Sequence, residues 1–405
     1  MQGYIYPNEF ELHWGLLIVV YPYLTGLVAG AFILASLARV FNVREVQPTY
    51  RLSLLTALAF LVAAPLPLLA HLGHPERSFE IFLTPNLRSA MAMFGFVYAW
   101  YLMVVLVLEI WFDYRKELVV WSRGAVGPLA LIRRLLALGA NDLSEQALRF
   151  DRRAGKLITI IGIPSAFLLH GYVGFIFGSV KANPWWSSVL MPVVFLFSAM
   201  VSGIALMLLL YVVINLLRFK PVDMVCTDKL AAFLFYALVV DFSLEMLDFT
   251  QRLYEAEESI KILSQMLASR LVVSLILLQV LMGTIVPLAA LALVAPTFRR
   301  AALAKVPDEL RRLVYVIVVV LVQIGIFSTR WNVVIGGQLF SKSLRGLTTY
   351  KVELLGIEGI LMAAAILLLP LVVLYLLIKV LPPWQEAEVE IHPPAAGAVP
   401  APASP

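Results

Sequence analysis

Three carboxylates interrupt a stretch of sequence that is otherwise mostly apolar. Asp241, Glu245 and Asp248 are spaced i, i+4 and i+7, which places them on one face of a helix. If this stretch crosses a membrane, each ionisable group is costly there and is a candidate functional residue. A face of carboxylates can pass protons, so we interpret the three residues as a proton relay.

Histidines and tyrosines in other apolar stretches suggest a second chemistry. His170 and Tyr172 stand two residues apart, and Tyr21 lies in the first apolar stretch with His13 before it. A quinone needs an apolar slot with one or two hydrogen-bond donors for its carbonyls. Its redox reaction also moves two protons, which an imidazole or a carboxylate can exchange. These four residues predict a binding site for menaquinone or ubiquinone.

Structural roles stay open for the same residues. His170 can hydrogen-bond a backbone carbonyl between helices, and Tyr21 can belong to an aromatic belt at the membrane surface. Asp241 and Glu245 can take part in a structural ion pair, and Asp248 can be solvated near its helix end. The sequence alone does not choose between these roles and the functional ones.

Several kinds of site are disfavoured by the sequence. Cys226 is the only cysteine, so an iron–sulfur cluster bound by this chain is not expected. Only His71 and His170 are placed to pair across a helix bundle, and we expect no haem. Nucleotide-binding, metalloprotease and hydrolase motifs are missing from the sequence. We therefore predict no metal site and no catalytic group within the chain alone.

Composition places these residues in a membrane protein. The 405 residues are 61% hydrophobic and 14% charged, whereas soluble domains have roughly 45–50% apolar and about 25% charged residues. The mean hydropathy is +0.90. Runs long enough to cross about 30 Å of hydrocarbon can span it only as helices. The sequence predicts an all-α polytopic protein with about nine such runs, near 14–38, 52–73, 89–112, 157–180, 188–217, 229–250, 271–295, 312–329 and 355–381.

The basic residues predict an orientation. If the N-terminus is periplasmic, 21 of the 31 Lys and Arg residues fall on the cytoplasmic side. We therefore expect a bacterial inner-membrane protein with its C-terminus in the cytoplasm. The basic charge balance is explained by lipid contacts and predicts no nucleic-acid partner.

The span count allows a division into two four-helix bundles and one extra helix. Residues 1–180 are predicted to form the first bundle, which holds the quinone site and a cytoplasmic loop 113–156. Residues 181–350 form the second bundle and residues 351–381 the ninth helix. Residues 382–405 are a Pro- and Ala-rich cytoplasmic tail that we expect to be disordered. Within the loop, Gly127–Leu138 has the pattern of an amphipathic helix lying on the membrane.

The predicted orientation places most polar span residues at one depth, just below the outer surface. The inner half is nearly bare of carboxylates, and Glu109 is expected at the membrane interface. This distribution disfavours the first alternative, a proton- or ion-translocating subunit without quinone chemistry. A structural anchor for a redox partner is the second alternative.

Three stretches of the sequence carry a resemblance to a known family. They are Pro7–Trp14, His170–Tyr172 with the following Lys181–Ser188, and Arg330–Gln338 with the following Lys342–Gly346. With the span pattern, they resemble the membrane subunits of polysulfide reductase, the NrfD-like family. Within it, the chain is most similar to the DsrP-like subunit of the Dsr sulfur-metabolism electron-transfer complex.

The resemblance implies a quinone-interacting subunit of a respiratory complex that is not catalytic alone. Family members exchange electrons between quinone, bound near the outer face, and a periplasmic ferredoxin-like iron–sulfur subunit, and cytochrome and b-type membrane subunits are further implied partners. The implied docking residues are Arg330, Lys342, Arg345, His74 and Arg77.

The family's quinone-binding residues match only in part. An Asn and a His on the first helix and a Tyr on the fourth approach the quinone in the family. Tyr172 matches the tyrosine, whereas Leu16 and Tyr21 stand roughly where the Asn and the His would be. The resemblance therefore implies a different set of donors, with His170 as the replacement.

Overall fold

The structure is a computed structural model that describes residues 12–86, 88–123, 127–255, 259–298, 306–341, 343–344 and 346–384. This part of the chain is nearly all helical, and it contains nine helical segments long and apolar enough to cross a membrane. They are α1 Leu16–Arg39, α2 Arg44–His71, α3 Ala90–Ser122, α4 Glu145–Gly178, α5 Met191–Leu217, α6 Met224–Glu255, α7 Val272–Val294, α8 Asp308–Gln338 and α9 Ile360–Val380.

Local sequence signals explain where several helices begin and where they change. Ser89 and Ser144 accept backbone N–H bonds at the starts of α3 and α4, as N-cap residues do. Pro65 separates the two α-helical parts of α2, since proline removes a helical hydrogen bond. Parts of α3 and α7 are π-helical, at Tyr101–Val107 and Val272–Ile285.

The helices pack in two neighbouring groups. In the first group, α1 contacts α2 and α4, and α3 also contacts α2 and α4. In the second group, α5 contacts α6 and α8, and α7 also contacts α6 and α8. Helix α1 also packs against α5 and α8, and α9 lies against α2. The division of the chain into two four-helix bundles and a ninth helix stays a prediction.

Paired glycines allow the closest helix approaches. A Cβ atom on Gly30 of α1 would lie 2.1 Å from the carbonyl oxygen of Ala199 on α5, and one on Gly203 would lie 2.3 Å from Gly30. Gly283 and Gly325 make the same kind of contact between α7 and α8. Small residues at such crossings let helix backbones touch in a membrane.

The predicted loop 113–156 is corrected by the structure. Helix α3 continues to Ser122 and α4 begins at Glu145, because ion pairs hold the charged residues at these helix ends. Arg115, for example, pairs with Asp151 at 2.6 Å. The amphipathic helix predicted between them is confirmed as Pro128–Leu136.

Alternating helix directions produce two faces, which we name by their residues. The tryptophan face carries Trp14, Trp186 and Gln338, and the arginine face carries Arg39 and Arg51. At the tryptophan face, Trp14 stacks on Trp186 at 5.2 Å, and the Gln338 side chain bonds the Trp14 backbone at 3.0 and 3.1 Å. Trp14, Trp186 and Gln338 come from the three sequence stretches that carry the family resemblance, so described parts of all three stretches meet there.

Candidate functional site

An aromatic cluster lies between α1, α3 and α4 in the half of the protein nearer the tryptophan face. The rings of Tyr21 and Phe94 meet edge to face at 5.8 Å, and Phe94 stacks on Tyr172 at 5.8 Å. Tyr98 lies close enough to Tyr21 to interact with it electrostatically. We call these four residues the aromatic cluster.

The hydroxyl groups of the aromatic cluster differ in their bonding. Tyr172 donates to the backbone oxygen of Ala90 at 2.9 Å, and Tyr98 donates to that of Leu61. The hydroxyl of Tyr21 is buried and has no partner among the described residues. An unpartnered buried hydroxyl costs about 1–3 kcal/mol, so this position suits a ligand with a hydrogen-bonding oxygen.

His170 lies apart from the aromatic cluster although it is only two residues from Tyr172. Its Nε2 is 3.1 Å from Arg330, and its Nδ1 is 3.4 Å from the hydroxyl of Thr25. Two residues along a helix point to nearly opposite sides, so His170 and Tyr172 do not form one donor pair. His13 is exposed at the tryptophan face, also outside the cluster.

Arg330 is completely buried, which corrects its predicted docking role. Its guanidinium donates to Ser198 at 2.5 Å and lies 4.2 Å from the ring centre of Phe195. A side chain held by α4 and α5 inside the protein cannot contact a partner at the surface. A buried arginine also needs compensating charge.

The compensating charge comes from α6. Asp241 and Glu245 are buried, and both attract Arg330 electrostatically. Gln279 donates to the two carboxylate oxygens of Glu245 at 3.0 Å each, and its own oxygen accepts from Asn332 at 2.7 Å. A polar network therefore runs through the middle of α5, α6, α7 and α8.

Asp248 connects this network to the tryptophan face. It pairs with Arg252 at 2.9 Å and also contacts Ser188. A cavity of about 60 Å³ touches Glu245, Asp248 and Gln279, and a second one of about 340 Å³ touches Asp248 and Arg252. Cavities of this size with polar lining residues can hold water, so Asp248 lies between the surface and the buried network that contains Asp241 and Glu245.

An apolar cavity of about 550 Å³ lies on the other side of α1. Its few polar groups include Tyr23, which donates to Gln323 at 2.7 Å, while Gln323 donates to the backbone of Ser202 at 2.7 Å. Tyr23 and Gln323 thus satisfy each other, whereas the hydroxyl of Ser274, which also lines the cavity, is buried and has no partner among the described residues. The cavity therefore suits a largely apolar molecule that offers at most one or two hydrogen-bonding groups.

Charged residues are also buried near the arginine face, where the sequence predicted a nearly bare region. Glu109, Glu117 and Asp151 are all at least nine-tenths buried. Glu109, which was expected at the membrane interface, is fully buried and accepts a bond from Thr159 at 2.6 Å. The half of the protein nearer the arginine face therefore holds buried carboxylates, contrary to the expectation from the sequence.

Two of the remaining candidates, His74 and Arg77, lie at the tryptophan face. His74 and Arg77 are exposed on the segment between α2 and α3. His71 pairs with Glu358, and His170 is held as above, so both histidines considered for haem already have partners. Lys342, Arg345 and most of the predicted tail lie outside the described residues. Among the described residues there is no group of three or more metal ligands.

Four residues that shape these sites were not predicted from the sequence. Phe94 and Tyr98 look like ordinary residues of an apolar run, and nothing in the sequence marks their contact with Tyr21. Gln279 and Asn332 are uncharged polar residues in or next to spans. Searching for amides as well as ionisable groups would have found them, because a buried amide also requires partners.

Comparisons with known proteins agree with this fold. A sequence model of the family "Polysulphide reductase, NrfD" matches residues 7–342. A selenate reductase subunit of Mesobacillus selenatarsenatis is 41% identical over 206 residues, which are 49% of this chain and 47% of that protein. A putative dimethyl sulfoxide reductase membrane subunit of Halobacterium salinarum is 29% identical over 202 residues, 48% of this chain and 42% of that protein.

A third relative is the Hdr-like menaquinol oxidoreductase integral membrane subunit of Archaeoglobus fulgidus. It is 25% identical over 195 residues, 48% of this chain and 40% of that protein. The chain thus spans less than half the length of each of these three relatives. Their names do not single out the Dsr type, which stays a prediction. Because the family model covers most of the chain and nine apolar helices agree with it, the protein belongs to the polysulphide reductase NrfD family of membrane subunits.

Proposed function

We propose that this protein is the quinone-reactive membrane subunit of a respiratory electron-transfer complex. The quinone head group binds at the aromatic cluster, with the hydroxyl of Tyr21 as its hydrogen-bond donor and the rings of Phe94 and Tyr172 as its apolar contacts. His170 and His13, which the sequence also suggested, are left out because they lie away from this cluster.

The observation that carries the proposal is the unpartnered hydroxyl of Tyr21 inside an aromatic wall. Phe94 and Tyr172 provide flat apolar surfaces, and a quinone carbonyl can accept the hydrogen bond that Tyr21 does not make within the described chain. Many side chains of α3 near Phe94 are only half buried, so a lipid-soluble molecule can approach from the membrane. The relative named as a menaquinol oxidoreductase subunit supports the same ligand class.

The tryptophan face is the proposed periplasmic side and the docking side for an iron–sulfur subunit. His74 and Arg77 lie there beside exposed Phe79 and Leu83, a mixture of charged and apolar side chains that suits a transient protein interface. Electrons pass between the partner's cluster and the bound quinone, in a complex of sulfur metabolism.

The carboxylates of α6 are the proposed proton relay of the second helix group. Asp248 meets the cavity at the tryptophan face, while Asp241 and Glu245 face Arg330 in the interior. The cavities of about 60 and 340 Å³ beside Glu245 and Asp248 support this role, because they have room for water. Because this relay ends beside Arg330, protonation of its carboxylates changes how much negative charge compensates the buried guanidinium.

The site is tested by removing single hydroxyl groups. Tyr21→Phe is expected to lower quinone-dependent turnover of the purified complex by about 5- to 30-fold, because it removes one polar contact worth about 1–2 kcal/mol. The measurement is the steady-state rate against quinone concentration. Electron transfer from the iron–sulfur partner to a water-soluble acceptor verifies that the complex is intact.

Tyr23→Phe is the matched control, since it removes a hydroxyl from the same helix on the side of the apolar cavity. Its quinone kinetics are expected to stay within about two-fold of the wild type. Unchanged kinetics in Tyr21→Phe together with a loss in Tyr23→Phe would move the quinone to the apolar cavity and refute the proposed site.

A further inference from the structure

We propose that the first four helices contain a proton pathway from the arginine face to the aromatic cluster, with Glu109 as its buried carrier. The proposal rests on the quinone function, because the pathway exchanges the two protons of the quinone reaction. Its members lie on α3, in the order Asp113, Glu109, Tyr101 and Tyr98. The relay carboxylates of α6 belong to the other helix group and take no part in it.

The entrance is a cavity of about 600 Å³ at the arginine face. Arg39 donates to Tyr50 at 2.5 Å and to Asp113 at 2.6 Å, and Arg51 also pairs with Asp113 at 2.8 Å. These four side chains line the cavity. Such a charged lining holds water, which brings protons from the aqueous phase to Tyr50 and Asp113.

Glu109 is the next group inward. One of its carboxylate oxygens accepts from Thr159 on α4 at 2.6 Å and from Tyr50 on α2 at 3.4 Å. The other oxygen is buried and has no partner among the described residues. Arg39 and Asp113 are the charged groups that act on it. A carboxyl group with one oxygen held and one free can accept a proton from Tyr50 and release it further inward.

Tyr101 continues the pathway above Glu109. It is fully buried, its hydroxyl has no partner within the described chain, and it lies close enough to Glu109 to interact with its charge. Two unpartnered polar groups near each other in an apolar bundle are costly unless water bridges them. The segment between them is π-helical, Tyr101–Val107, and π-helical turns occur frequently at functional sites.

Tyr98 joins the pathway to the quinone site. It precedes Tyr101 by about one turn of α3, bonds the backbone of Leu61, and interacts with Tyr21 in the aromatic cluster. Reduction of the quinone then takes two electrons from the iron–sulfur partner and two protons through α3, and forms the quinol; oxidation reverses both. Because electrons and protons arrive from opposite faces, each turnover separates charge across the membrane.

The test uses the intact complex in liposomes that contain quinone, with a reduced viologen as the electron donor. Glu109→Gln and Tyr101→Phe are expected to slow quinone reduction by about 10-fold or more and to lower the signal of a voltage-sensitive dye in proportion. Binding of a quinone analogue stays unchanged in both. Glu109→Asp, which keeps an ionisable group, recovers part of the rate.

Tyr114→Phe is the matched control, because Tyr114 is an equally buried tyrosine of α3 whose hydroxyl bonds the backbone of Leu381 at 3.3 Å. Its ring, which lies 4.7 Å from the guanidinium of Arg51, is kept in the phenylalanine variant. It is expected to keep the wild-type rate. If Glu109→Gln does not assemble, Tyr101→Phe decides, since it removes only an unpartnered hydroxyl.

Two results would overturn the pathway while leaving the quinone site standing. One is a full rate and full dye signal in Tyr101→Phe and Glu109→Gln; the other is an equal loss in Tyr114→Phe, which would indicate a packing effect. A wild-type complex that neither binds the analogue nor reduces quinone would instead refute the proposed function itself.

Discussion

At the scale of single residues, the buried Arg330 interacts with residues of three other helices. It contacts His170 on α4 and Ser198 and Phe195 on α5, and it attracts Asp241 and Glu245 on α6. Hydropathy alone cannot find such a role. The sequence shows an arginine at the end of an apolar run, and only partners on other helices decide whether it is buried or solvated.

Removing the charge of Arg330 is expected to destabilise the protein. Arg330→Ala leaves two buried carboxylates uncompensated and should cost about 3–5 kcal/mol, seen as a lower thermal unfolding midpoint of the purified protein in detergent. Arg330→Lys keeps the charge and should lose less. The double variant Arg330→Ala/Asp241→Asn should lose less than the two single losses added together, and strict additivity would contradict the coupling.

At the scale of helices, the position of α1 depends on glycines at its contact with α5. Helix α1 is buried along nearly its whole length, whereas α3, α7 and α9 expose most of their apolar surface. Gly30 and Gly203 allow α1 and α5 to touch backbone to backbone. This contact holds the two helix groups together, so it also fixes the aromatic cluster relative to Arg330.

A single methyl group should disturb this crossing. Gly30→Ala places a Cβ 2.1 Å from a backbone oxygen, and overpacking of this kind costs about 1–3 kcal/mol. Gly171→Ala is the control, because its Cβ would lie 3.8 Å from the nearest neighbouring atom, the backbone oxygen of Pro192. We expect a lower yield and a lower unfolding midpoint for Gly30→Ala only, and equal behaviour of both variants would argue against a tight crossing.

The sequence predicted the helices well but their ends less well. Long apolar runs predicted all nine spans, because length and hydropathy are local properties. The charged ends of α3 and α4 were read as loop, because hydropathy treats Asp113, Arg115 and Asp151 as solvated. In the structure Arg115 pairs with Asp151, and Asp113 pairs with Arg39 of α1, so these helices continue.

At the scale of the whole molecule, polar groups approach the interior from both faces. Asp248 and Glu245 lead inward from the tryptophan face, and Asp113 and Glu109 lead inward from the arginine face. The sequence predicted the first route, since its carboxylates share one helix face. It missed the second, because Asp113 and Glu109 of α3 are held by partners on α1, α2 and α4 that they meet only after folding.

Photolabelling of the intact complex with a photoreactive quinone analogue tests the central claim most directly. The labelled residues are mapped by mass spectrometry, with excess unlabelled quinone as competitor. We predict competed labelling at the aromatic cluster, on the parts of α1, α3 and α4 around Tyr21, Phe94 and Tyr172. Competed labelling confined to the cavity around Tyr23 and Gln323, or none above the competitor background, would contradict a quinone site in the first four helices.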